Sequence, residues 1–125
     1  MLRLPTLIAA LLLVPAAHAF DSSAAATREA VAFEQQRSEV VLSELSARYS
    51  RVWAQLPVER RSAFAAAERR WLNGGRWDDH AACVAANTAA VAVELVAARC
   101  LADVTTAHLE SLDNALNVRV AAPQN

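Results

Sequence analysis

CVAANTAAVAVELVAARC, residues 83–100, holds both cysteines of the chain, and its reading decides how the helices are arranged. The stretch is alanine-rich and has no glycine or proline, which favours helix. An unbroken helix at 1.5 Å per residue would hold Cys83 and Cys100 about 25 Å apart. A disulfide needs Cα atoms within about 4.4–6.8 Å. Both readings cannot hold. A turn removes the conflict, and Asn87-Thr88 is the best place for it: asparagine tolerates the left-handed cap position, and threonine N-caps the helix that follows. The chain then folds back, with a final helix over about 89–117.

Whether the sulfurs are joined depends on the compartment. Met1, Leu2 and Arg3 make a short positive start, residues 7–14 (LIAALLLV) an apolar run, and Ala17-His18-Ala19 a small-x-small cleavage site. These are the parts of a secretory signal peptide in order, with cleavage after Ala19. The apolar run is roughly half the ~20 residues that span a bilayer, which argues against an anchor helix. No cysteine follows the run, so no lipoprotein anchor is expected, and no second apolar stretch has spanning length. The expected product is a periplasmic or secreted protein with no membrane association after cleavage. In such a compartment a cysteine pair reads as a disulfide; two buried free thiols are the alternative. A bridge closing about 17 residues stabilises a fold by about 3 kcal/mol in the chain-entropy model. Two cysteines with His80 and His108 do not complete a zinc shell, so neither metal nor cofactor is expected.

Composition sets the class. Alanine fills 30 of the 125 positions, while Gly74 and Gly75 are the only glycines. That mixture excludes an all-β sandwich or barrel, and 55% hydrophobic residues with near-neutral charge argue against disorder. The expected fold is all-α: a small antiparallel helical bundle with one intrachain disulfide, preceded by a cleaved signal peptide. Residues 1–19 form the leader, 20–117 a single helical domain, and 118–125 a flexible tail. Without Arg3, eleven arginines face thirteen acids, and no basic field exists to hold nucleic acid.

The first helix is expected to start from caps at Asp21, Ser22 and Ser23. Leu42, Leu45, Tyr49, Val52 and Leu56 recur at spacings of three and four, while 24–38 is weakly patterned and expected to pack loosely. Pro57 ends this helix. The next, about 58–72, places Phe64, Ala67 and Trp71 on one face and its charges, Glu68 among them, mostly elsewhere. Asn73-Gly74-Gly75 is expected to stop it, with Asp78 or Asp79 capping a further segment. One stripe of the last helix runs Val84, Thr88, Val91, Leu95, Ala98, Ala102, Thr105, Leu109, Leu112, Leu116. By spacing, Trp53, Trp71, Phe64 and Tyr49 belong to the core.

Ala67-Glu68-Arg69-Arg70-Trp71-Leu72 followed by Cys83 resembles the "A-Q-R-x-W" signature and following cysteine of the lysozyme inhibitor LprI-like N-terminal domain family. Leu45-Ser46-Ala47-Arg48-Tyr49 resembles that family's "L-N-x-x-Y". Cys100, Leu101, Thr105, His108 and Leu112 match its "C-L-x-x-x-T-x-x-R-x-x-x-L" spacing. The likeness covers about residues 42–112. Glu68 stands where glutamine is usual, Ser46 where asparagine is, and His108 where arginine is. The resemblance implies an all-helical exported domain, a Cys83–Cys100 disulfide, and lysozyme inhibition as the activity that names the family.

Two functions are therefore expected in order. The first is a binding protein that blocks a lysozyme or another peptidoglycan-cleaving enzyme through a rigid loop at residues 74–80. There Arg76 would meet carboxylates, Trp77 would anchor, and Asp78, Asp79 and His80 would complete the contact. The second is an interaction module of the cell envelope, pairing with another envelope protein through its long helix. No enzyme motif is present, and no catalytic residue is assigned; His108 is expected to partner an acid such as Glu44 or Glu68.

Overall fold

The computed structural model describes residues 16–87 and 92–117. The apolar run of the leader, Thr88, Val91 and the tail 118–125 lie outside the described residues. Helix α1 (Ala16–Gln55) is 40 residues long. Next come α2 (Val58–Arg70), a π-helical turn (Trp71–Gly75) and α3 (Arg76–Ala86). Helix α4 (Val93–Leu112) is followed across Asp113 by the single turn α5 (Asn114–Asn117). Among the described residues there is no strand, and no helix is long and apolar enough to cross a membrane. The Cys83–Cys100 disulfide joins α3 to α4 with the Cα atoms 5.7 Å apart.

The cross-links between helices give their directions. Arg37 pairs with Asp103 and Arg48 with Asp113, so α1 and α4 run parallel. His80 meets Ala97 and Glu68 meets His108, so the α2–α3 arm runs antiparallel to α4. The architecture is an up-down-up bundle in which consecutive arms are antiparallel. Its core gathers Val41, Leu45, Val52 and Leu56 of α1 with Trp71, Leu109 and Leu112. These α1 positions step by four, seven and four, so they fall on one helical face. Tyr49 stacks on Phe64 beside them, ring centroids 5.0 Å apart. In α4, Ala102 and Thr105 are wholly buried. The Thr105 hydroxyl donates to the Leu101 carbonyl at 2.7 Å, so no polar group is left stranded there.

Pro57 separates α1 from α2 with extended backbone, φ −53° and ψ 143°. Two arginines at the start of α2 serve carbonyls at other helix ends. Arg61 donates to Leu56 and Ala54, both at 3.1 Å, and Arg60 donates to Ala115 at 2.8 Å. Free carbonyls at a helix terminus otherwise need water or a cap.

Several expectations are corrected. The paired glycines do not stop the second helix. Gly75 sits at φ −57° and ψ −38°, ordinary right-handed helix, and the π turn carries the chain straight into α3. A Cβ on Gly75 would lie 3.3 Å from Trp71 Cδ1, so glycine there serves the close approach of an indole. Asp78 and Asp79 lie within the first turn of α3 and make no cap hydrogen bond. Asp21, Ser22 and Ser23 fall inside α1 instead of before it.

The turn at Asn87 is where the sequence places it, but its backbone, φ −117° and ψ 41°, is not left-handed. The Asn87 amide instead donates to the Cys83 carbonyl at 2.8 Å, satisfying the helix end from the side chain. The final helix starts later than expected, at Val93, and breaks at Asp113. Leu116 is on the surface. So is Trp53, 39% exposed, with the Arg61 guanidinium 4.3 Å above its ring. On α2 it is Ala67 that is exposed and Glu68 that is buried.

Gly74 offers a direct test of the continuous helix. A Cβ there meets nothing within 4 Å, and glycine is about 0.8–1.0 kcal/mol worse than alanine inside a helix. Gly74→Ala is therefore expected to stabilise the fold by about 0.5–1 kcal/mol, read as a rise in the thermal midpoint. Gly75→Ala should fall short of that gain because its methyl presses on Trp71. A destabilising Gly74→Ala would contradict helical backbone through this turn.

Candidate functional site

The segment expected to be a loop, residues 74–80, is instead the end of the π turn and the first turns of α3. Helical spacing divides its side chains between two faces. Trp77 is 52% exposed, and Asp78 and Asp79 are also exposed. His80 turns inward, its Nε2 2.9 Å from the Ala97 carbonyl of α4. Arg76 is half-buried: its Nε is sealed from solvent without a partner, and its guanidinium carbon lies 5.3 Å from the centre of the Trp77 ring. His80 meets the same indole edge-on at 6.0 Å. Trp77 is thus supported from its own helix, and the disulfide fixes α3 to α4 nearby. Arg76 and His80 flank the Trp77 ring, and Asp78 and Asp79 remain exposed.

The matched motif positions meet deeper in. Trp71 is buried and lies flat against the His108 imidazole, ring centroids 3.6 Å apart and planes within 4°. The indole N–H of Trp71 points to Asp79 Oδ2 at 3.3 Å. His108 Nε2 lies 2.7 Å from Glu68 Oε2. Of the two acids expected as partners for His108, the structure selects Glu68. Leu45, Thr105 and Leu112 are buried as well, and Tyr49 and Leu101 are half-buried.

No family model, no curated protein and no solved structure matches the chain.

The network of Trp71, Glu68, Asp79 and His108 joins α2, α3 and α4, and Ser111, whose hydroxyl donates to the His108 carbonyl at 2.7 Å, lines the same groove as Asp79 and His108. Among the described residues, no group of three His, Cys, Asp or Glu side chains is placed to hold a metal ion.

Sequence reasoning missed a second polar assembly, which joins the upper part of α1 to α4. Glu34 is buried, with Arg37 at 2.7 Å and Arg99 at 3.7 Å, and Arg37 also reaches Asp103 at 2.7 Å. The hydrogen bond to Asp103 above all, with the one to Glu34, raises the Arg37 pKa above its ordinary value against the opposing effect of burial. Ser38 is buried beside this assembly in sequence, and its hydroxyl has no partner. The Glu34–Arg37 spacing of three was the available signal.

Proposed function

We propose that this is an exported, non-catalytic binding protein that blocks a lysozyme or another peptidoglycan-cleaving enzyme by direct contact. The observation that carries the reading is Trp77, a large aromatic 52% exposed on a helix clamped by the Cys83–Cys100 disulfide. Exposed, rigidly held tryptophan is the side chain most enriched among residues that dominate protein interfaces. Asp78, the next residue along α3, is exposed as well and adds negative charge near Trp77, suited to a basic partner. The motif likeness to the LprI-like family and the leader-like start support the same reading. Because the face is helical, it would lie across the rim of a glycan-binding cleft instead of threading a loop into it.

The test mixes the mature protein with c-type, g-type and phage-type lysozymes and follows clearing of a cell-wall suspension. Slowing is expected for at least one enzyme. Changing Trp77 and Asp78 to alanine together is expected to weaken it by about tenfold or more, with the far-UV CD spectrum unchanged. Undiminished clearing by every enzyme at large molar excess of the protein would reject inhibition.

A second reading has its own observation. Phe33 is 65% and Val40 52% exposed, seven residues apart on one side of α1. Such a side suits pairing with a helix of another envelope protein. Recovery of the same envelope protein with the wild type, but not with Phe33→Glu, would support this module reading over inhibition.

A further inference from the structure

α1 and α2 are thinly packed and leave an open cleft of about 320 Å³ between them. Leu42, Leu45 and Tyr49 line it from α1, Leu72 from the π turn, and Glu68 and Arg69 from α2. The walls are mainly apolar, and Leu72 is 44% exposed at the rim. Ser46, Arg69 and Glu68 are the polar residues of the lining, and of these only Glu68 is buried. Its Oε2 is taken by His108. Its Oε1 has no hydrogen-bond partner among the described residues, yet it is not sealed off. An ionised carboxylate has about four acceptor sites, and leaving such capacity unused away from bulk water is costly.

We infer that this cleft receives a lysine side chain of a protein partner. The aliphatic stem would lie along the leucines, and the ammonium would donate to Glu68 Oε1. Lysine joins an apolar stem to a charged tip, the same sequence of chemistry that the cleft presents from rim to floor. Arginine fits less well, because its planar fork is best satisfied by both oxygens of a carboxylate and one is already occupied. Arg69 is exposed, so its own charge stays in solvent while it lowers cation affinity modestly. The inference rests on the reading of the protein as a binding module and adds a second contact, built by α1, α2 and the π turn, to the Trp77 face of α3.

The mature protein would be titrated with Nα-acetyl-lysine methylamide and followed by backbone amide NMR. The uncharged norleucine counterpart and hexanoate serve as comparisons. Saturable shifts at Leu42, Ser46, Glu68 and Leu72 are expected with the lysine compound, and norleucine should bind about tenfold more weakly or worse. Glu68→Gln, which keeps a group able to bond His108, should remove most of that preference. Arg69→Ala should raise lysine affinity about two- to fivefold. Ser46→Trp, which leaves Glu68 in place, should close the mouth and abolish the shifts. Tighter binding of hexanoate, equal binding of norleucine, or shifts that survive Ser46→Trp would overturn the assignment. These readouts involve no lysozyme, so an absence of inhibition and an absence of lysine binding are separate results.

Discussion

Trp71→Ala is expected to lower the free energy of unfolding by about 3–5 kcal/mol, the range for removing a buried aromatic from a packed core. The tryptophan is the point where three helices meet. Its face covers His108 of α4, its N–H reaches Asp79 of α3, and its edge lies against Gly75. Truncation leaves a cavity and strips one face of the imidazole that holds Glu68. Small domains are stable by only about 5–15 kcal/mol, so the variant should be largely unfolded or close to it. Trp71→Phe keeps a stacking surface and loses the N–H, and should cost much less. Thermal and urea unfolding followed by CD would check both, and a Trp71→Ala protein within about 1 kcal/mol of the wild type would remove Trp71 from this role.

Reduction of the Cys83–Cys100 bond is expected to cost about 3 kcal/mol, because a loop of about 17 residues is freed in the unfolded chain. The same change should follow from replacing both cysteines by serine. Urea unfolding with and without a phosphine reductant measures it, and coincident curves would show that the bond adds nothing. The loss should be uneven in space. α3 packs chiefly on α4, is held there by the disulfide and the His80–Ala97 bond, and buries no residue fully. Amide exchange should therefore rise most across residues 76–86 in the reduced protein.

The features the sequence revealed and those it hid differ for a physical reason. The turn between the cysteines was legible because helix rise and disulfide reach are incompatible over seventeen intervening steps. The core face of α1 from Leu45 to Leu56 was legible because apolar residues there keep helical period, although Val41 is the residue buried above it and the expected Leu42 is only partly buried. The burial of Glu34 and Glu68 escaped periodicity, which counts apolar residues, whereas these acids are buried through charged or ionisable partners, Arg37 and Arg99 for Glu34 and His108 for Glu68. Trp53 was misread in the opposite sense, since its spacing matches the core but the ring pairs with Arg61 at the surface. The glycine pair misled because its usual effect, stopping a helix, depends on nothing else needing the space. Here the indole of Trp71 needs it. For the proposed contact segment, Arg76, Trp77, Asp78, Asp79 and His80 were chosen by residue type alone, and their helical setting leaves Trp77, Asp78 and Asp79 exposed while Arg76 and His80 are half-buried.

The disulfide ties neighbours in the chain, α3 and α4, while α1 is joined to α2 only through the Leu56-Pro57 link and is otherwise held by non-covalent contacts. An oxidised molecule therefore has two grades of cohesion. α1 can detach and return while a clasped hairpin waits, already shaped, to receive it, so the slow search for distant pairings is shortened to the docking of one rod.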